Sequence, residues 1–470
     1  MNNLLDKSIK NLSKGLKDKN FSVTELVKES LNRIEDINSK TNSVIEILPE
    51  KLLLTEAKEM DSNINDSKNI LYGLPYTMKD IYQAKGTNTT SGSNVLINYS
   101  SQYNSTVYKK IKNAGGILIA KSNLDSWGHG GSSENNDIGP VKNPYNLERS
   151  AGGSSGGPAV DIATRSSSFS IGEDTGGSIR NPSSWCGITG LKVTYGRVSR
   201  YGAIAYASSF DSVGPMAKTA EDCAFVLEGI AGHDPYDANT SSIEVPKYSE
   251  IINNKLDYTI GVPKEFFVRG LDEEIEDSIQ NAIKELKKLG CKIKEVSFPM
   301  FDYGVALYYI IAPSETSSNL GRYDGIRYGN GRDKFTEETK RRILIGTYSL
   351  SSGYYDEYYN QAQKARTLLI QTYDDIFKSC DAIISPVSPT LPTKIGELIS
   401  DPIKNYLADI YTVTQNPAGV PSLAIPTGFS KSKLPVGMQV IGPHFSEDKL
   451  LNIGHQFQKV TNYHEQKPNI

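Results

Sequence analysis

Residues Ser170 to Gly187 read SIGEDTGGSIRNPSSWCG. A short apolar run leads in, and then an acid, a threonine, two adjacent glycines and a serine follow within one turn-like segment. Two readings are open. Ser178 is a nucleophile held on a shaped backbone, or it is a cap or turn residue of a polar loop. Its surroundings in the chain have to decide.

Residues 139–215 are dense in glycine, serine and proline, a composition shared with linkers. They also contain the apolar pieces SSFSIG and CGITGLKV, so this region reads as ordered loops between strands. Downstream, TAEDCAFVLEGIAG (219–232) reads as a capped helix. Upstream, GLPYTMKD places Lys79 at the end of a buried strand, with Gly73 and Pro75 as punctuation. VYKKIKNAGGILIAKSNLD reads as a helix ended by Gly115, then a strand. Residues 1–65 form an N-terminal helical segment, in which Ser22 and Glu25 make a capping box. TIGVPKEFF is a strand, LDEEIEDSIQNAIKELKKLGCKIKEVSFP a helix–Gly–strand unit, and 301–380 is helical and tyrosine-rich. Residues 240–380 are expected to form a helical lobe within the domain. DAIISPVSPT, SLAIPTGF and PVGMQVIGP return to strands, and Glu447 to Val460 closes as a helix. Helices alternating with strands predict an α/β sheet with helices packed on it.

The chain has 470 residues, net charge −3, 38% hydrophobic and 22% charged residues. That is ordinary for a globular protein with a core, and it argues against nucleic-acid binding by bulk electrostatics. Cys186, Cys223, Cys291 and Cys380 are scattered without a CxxC, so they are expected to be buried thiols in a reducing compartment. The five histidines have no metal-ligand spacing, so no metal site is expected. No apolar run is long enough for a membrane span.

Three stretches carry chemistry together: GLPYTMKD with Lys79, AGGSSGG with Ser154 and GEDTGGS with Ser178. An acyl-transfer enzyme needs a hydroxyl that loses its proton as it attacks a carbonyl, a group that accepts that proton, and donors for the resulting oxyanion. Thr175-Gly176-Gly177-Ser178 can supply such donors from the backbone, because glycines let successive N–H groups face one point. One such donor contributes about 3–4 kcal/mol of transition-state stabilisation. The histidines offer no local base, and a serine–lysine pair is a known alternative. A lysine accepts a proton only as the neutral amine, a form that burial favours. Asp80 is either a salt-bridge partner of Lys79 or a solvated charge.

The order Lys79, AGGSSGG, DTGGSIR, continued by WCGITGLKVTYGRVSRYGAIAYASSFDSVGP, resembles the amidase signature family of Ser-Ser-Lys hydrolases along nearly the whole chain. The resemblance implies an amidase-signature fold: α/β, a central mixed β-sheet covered by helices on both faces, in a single domain over 1–470. It implies that Ser178 is the acyl nucleophile and Lys79 the base. Ser154 is implied as the bridging serine, behind a cis Gly153–Ser154 peptide. The amides of Thr175, Gly176, Gly177 and Ser178 are implied as the oxyanion hole.

Within the family, YYIIAPSETSSNLGRYDGIRYG, KRRILIGTYSLSSGYYDEYY and NYLADIYTVTQNPAGVPSLAIPTGF resemble the glutamine-hydrolysing branch that serves tRNA-dependent amidation. This implies glutamine as substrate and Tyr309, Arg342 and Asp409 as its binding residues. An arginine fork suits the substrate carboxylate, and an aspartate suits its ammonium. Implied partners are a kinase-transferase of GatB type together with a small GatC-like or organelle-specific protein, and tRNA(Gln) is held mainly through the partner. ATP and Mg²⁺ are implied for the partner and no cofactor for this chain. RNPSSWCG resembles organellar versions, which points to a mitochondrial matrix protein, with the bacterial cytoplasm as the alternative. A standalone hydrolase of another small amide is the competing reading.

Overall fold

Thirteen strands follow one another among the described residues: β1 (Val44–Ile47), β2 (Pro75–Lys79), β3 (Ile117–Ser122), β4 (Lys142–Asn143), β5 (Asn146–Ser150), β6 (Phe169–Asp174), β7 (Thr189–Lys192), β8 (Ser212–Ala217), β9 (Thr259–Pro263), β10 (Lys292–Val296), β11 (Ala382–Pro386), β12 (Ser422–Phe429) and β13 (Pro435–Ile441). The computed structural model describes residues 3–64, 69–267 and 270–470. Residues 1, 2 and 65 of the expected N-terminal helical segment therefore lie outside the described residues.

Eleven strands form one sheet in the order β1-β3-β2-β6-β8-β7-β12-β13-β11-β9-β10, and β4 pairs with β5 in a separate ribbon. β2 runs parallel to β3 and β6, β6 antiparallel to β8, and β9 parallel to β10 and β11. The sheet is mixed, as expected. The 240–380 stretch gives it β9 and β10 as well as supplying helices.

Alternation along a strand sends neighbouring side chains to opposite faces. Ile384 and Ala382 of β11 join the cluster packed under the N-terminal helices and the closing helix Glu447–Val460. Ile383, between them, joins the cluster built on helices Gly304–Asn319 and Tyr359–Phe377. Helices therefore cover both faces. The N-terminal helices form where their caps predict: Ser22 and Glu25 exchange both capping-box bonds at the start of Val23–Thr41. Helix Ala220–Ile230 starts on Thr219, whose side chain accepts from the Asp222 amide. Helix Thr106–Asn113 ends before Gly115, which takes φ +85°.

The fold positions the site through one register. Met78 of β2 pairs with Ile171 of the parallel strand β6, so Lys79 and Glu173 leave the sheet at the same edge. Ligands of open α/β sheets bind outside the carboxyl ends of strands. The 139–215 region is ordered and almost wholly buried, as expected from its apolar pieces. It also contains the helix Gly156–Ala163 and a short helix that the sequence does not announce, Arg180–Trp185. Pro158 sits in the first turn of the former, where its missing N–H costs little. All four cysteines are free and buried.

Candidate active site

Lys79 ends β2 with none of its surface exposed, and Ser154 is equally buried. Lys79 Nζ lies 2.7 Å from Ser154 Oγ, 2.8 Å from Glu173 Oε2 and 3.4 Å from the Glu173 carbonyl oxygen. The Gly153–Ser154 peptide is cis, as the resemblance implies. Ser154 is fixed from behind: its carbonyl accepts from the Asp125 amide and the Ser133 hydroxyl. Asp125 in turn accepts from the amides of Ser133 and Asn135, and burial pushes its carboxyl up to about 6.

Asp80 is not the partner of Lys79. It bonds Lys121 Nζ at 2.7 Å and the Thr90 amide and hydroxyl. Asp80 follows the last residue of β2, and both of its carboxylate oxygens are taken by Lys121 and Thr90. The ion pair of Lys79 is with Glu173, at 0% and 4% side-chain exposure.

Ser178 stands on a turn built by a buried ion pair. Asp174 Oδ1 accepts from the Gly177 amide and Oδ2 from the Ile179 amide, while both oxygens take bonds from the Arg180 guanidinium. Burial would raise the Asp174 carboxyl, but the Arg180 charge and hydrogen bonds outweigh it and hold it well below the usual carboxylate range. Arg180 also reaches Gln415, Gln439, Asn416 and the Thr412 carbonyl, which anchors the turn to the second half of the chain.

Two glycines let this turn exist. A Cβ on Gly176 would sit 2.6 Å from the Tyr308 hydroxyl, and one on Gly177 would sit 2.4 Å from Thr412 Oγ1. Gly177 also takes φ +134°. Four amides were expected to converge on one point, and the structure differs at one of them. The Gly177 amide is already bound to Asp174, while those of Thr175, Gly176 and Ser178 have no protein acceptor among the described residues. Ser178 Oγ likewise has no protein partner among the described residues, and it is not hydrogen-bonded to Ser154. It is 6% exposed, where Lys79 and Ser154 are 0%. The Ser155 amide donates to the Ser178 carbonyl and holds the two serine segments together.

Tyr309, Arg342 and Asp409 meet in one cluster beside this turn. The Tyr309 hydroxyl donates to Asp409 Oδ2 at 2.8 Å, and the Arg342 guanidinium lies 5.2 Å from the centre of the Tyr309 ring. Arg342 Nε donates to Glu338 and Nη1 to the Tyr206 hydroxyl, leaving Nη2 without a protein acceptor among the described residues. His129 bridges the hydroxyls of Thr316 and Thr339 and packs edge-on against Tyr206. Burial pushes the His129 imidazole well down, so it stays neutral next to Arg342. Burial pushes the Asp409 carboxyl up to about 7, against the Tyr309 hydroxyl and the Arg342 charge. The two halves of the site join through Thr412, whose hydroxyl lies 2.7 Å from the Gly176 carbonyl and 3.1 Å from the Asp409 carbonyl.

Chemically, the arrangement offers a hydroxyl without a protein partner beside main-chain donors without protein acceptors among the described residues, a second hydroxyl bonded to a buried amine, and an arginine and an acid at hand for a zwitterion. Glu173, Asp174, Arg180 and Thr412 were not singled out from the sequence. For Asp174 a signal existed in D-T-G-G, an acid placed to accept from an amide two or three residues on.

The profile of the Amidase family matches residues 25–451. The chain is 43% identical over 484 residues to the A subunit of the glutamyl-tRNA(Gln) amidotransferase of Brevibacillus brevis, covering 99% of both chains. It is 47% identical over 479 residues to the protein of the same name from Ruthia magnifica, covering 98% of this chain and 99% of that one. The crystal structure of the corresponding amidotransferase protein from Thermotoga maritima superposes with a TM-score of 0.85 at 37% identity, over 100% of this chain and 98% of that chain. These relatives are bacterial and lend no support to the mitochondrial expectation.

Proposed function

From the premise that this chain belongs to the amidase family, we propose that it is the glutamine-hydrolysing component of a glutamyl-tRNA(Gln) amidotransferase. The relatives that carry that name, and match along nearly their whole length, support the substrate and the setting. The observation that carries the chemistry is Lys79 Nζ at 2.7 Å from Ser154 Oγ, beside the turn that presents Ser178.

In this reading Ser178 Oγ attacks the carboxamide carbon of glutamine. Its proton passes through Ser154 to Lys79 and returns to the leaving nitrogen as ammonia departs. The oxyanion is held by the amides of Thr175, Gly176 and Ser178, the Gly177 amide being committed to Asp174. Water then releases glutamate by the reverse sequence. Arg342 Nη2 faces the substrate carboxylate, and Asp409 with Tyr309 takes its ammonium. The ammonia goes to a kinase-transferase partner that amidates Glu-tRNA(Gln), and ATP and Mg²⁺ act there, with no cofactor in this chain.

The test is the pH dependence of substrate binding. An Asp409 carboxyl that titrates at about 7 attracts an ammonium only above that pH. The glutamine KM is therefore expected to rise as pH falls through about 7, by up to about tenfold per unit below it. A simple amide without an ammonium is expected to show no such rise. Equal pH dependence for both, with brisk turnover of the simple amide by the chain alone, would favour a standalone amidase.

A further inference from the structure

Lys79 Nζ donates to three acceptors at once: Ser154 Oγ, Glu173 Oε2 and the Glu173 carbonyl. An ammonium has three N–H groups and no lone pair. In this geometry the amine is fully loaded, and it can take a proton from Ser154 only after giving one up. Glu173 Oε2, at 2.8 Å, is the carboxylate it touches.

Glu173 is itself part of an acid pair. The Thr175 hydroxyl contacts both Glu173 Oε1 and Asp211 Oδ1, the latter at 2.8 Å. A hydroxyl has a single proton to donate, so a proton on one of the two acids completes both contacts. Asp211 is buried and also accepts from the amides of Tyr206 and Ala207. Burial first, and then the neighbouring Glu173 charge, push the Asp211 carboxyl up to about 8. This places the extra proton on Asp211. The chain of contacts then runs from Asp211 through the Thr175 hydroxyl to Glu173 and on to Lys79.

Resting on the amide-hydrolase reading, we propose that Glu173 is a positioning residue that takes one proton from Lys79 Nζ and so makes it the base, with protonated Asp211 bracing it through Thr175. The transfer leaves a neutral amine and a neutral carboxyl, so no net charge is created in the interior. The freed lone pair then accepts the Ser154 proton as Ser154 accepts that of Ser178, and the same protons return when ammonia leaves. Glu173 and Asp211 also line a cavity with Arg200, Tyr201, Tyr236 and Asp237. Tyr236 in that lining is 66% exposed. The charged and titratable groups facing Glu173 are Lys79, Asp211, Tyr82 and Arg200. Arg200 is paired with Asp237, and Asp125 senses the Lys79 charge from the other side.

The experiment is the rate at which a fluorophosphonate labels Ser178 in the full-length chain, measured from acid to alkaline pH, with the adduct located by mass spectrometry. Glu173→Gln removes the group that takes the Lys79 proton, so the amine must lose it to solvent instead. The acid limb of the profile is expected to move to higher pH by roughly one unit or more. Asp211→Asn mimics the protonated acid and is expected to keep the wild-type limb. Melting curves establish that each variant is folded. An acid limb that stays in place in folded Glu173→Gln overturns the proposal, as does an equal shift in Asp211→Asn. If unmodified protein takes no label on Ser178 at any pH, the hydrolase reading itself falls and the inference with it.

Discussion

Ser178→Ala is expected to abolish glutamine hydrolysis, with a loss of at least about 10⁴-fold in turnover, while amidation driven by added ammonium survives in the assembled complex. Alanine removes the attacking oxygen and leaves the rest of the turn intact. The Ser178 hydroxyl bonds no other protein group among the described residues, and the backbone of the turn is held by Asp174, Ser155 and Thr412. The variant should therefore fold and assemble normally. Ammonium bypasses the serine chemistry, since the partner needs only the nitrogen. The assay is paired measurement of Gln-tRNA(Gln) formation with glutamine and with ammonium salts. Equal loss in both would mean that Ser178 supports the assembly rather than the hydrolysis.

Asp174→Asn carries the largest expected effect on stability, a loss of about 3–5 kcal/mol. The substitution keeps the shape and removes the charge. Arg180 then remains buried at 0% exposure, with neutral amide oxygens and a carbonyl as its acceptors. The amides of Gly177 and Ile179 must also share a side chain with one acceptor oxygen instead of two. Urea denaturation followed by circular dichroism reads the stability. Residual folded protein should label poorly at Ser178, because the turn that presents it has lost its anchor. A variant as stable as the wild type would show that the helix Arg180–Trp185 is held by its other contacts.

What the sequence made legible is local. The Ser22–Glu25 capping box, the Thr219 cap, Gly115 after its helix and the closing helix Glu447–Val460 depend on residues within a few positions of one another, and all four stand in the structure. The short helix Arg180–Trp185 was not legible. It is too short to form alone and carries two serines and a proline, so burial in the fold makes it. The three chemical residues were legible as motifs, but the partner of Lys79 was not. Glu173 lies 94 residues away, brought over by the parallel register of β2 and β6, and no local spacing announces that register. Asp80 looked closer only because it is the next residue in the chain. The Gly177 amide was misjudged for a different reason. Glycine freedom permits convergence on one point, but the acid three residues earlier claims that donor first.

Glutamine hydrolysis by this site requires a covalent intermediate at a single oxygen. Rapid-quench mass spectrometry of the complex mixed with glutamine, with peptide mapping of the adduct, tests this directly. We predict a γ-glutamyl ester on the peptide that carries Ser178, absent when Lys79 is replaced by alanine. An adduct on Ser154 or on a cysteine, or glutamate formed in a burst with no adduct on Ser178, would contradict it.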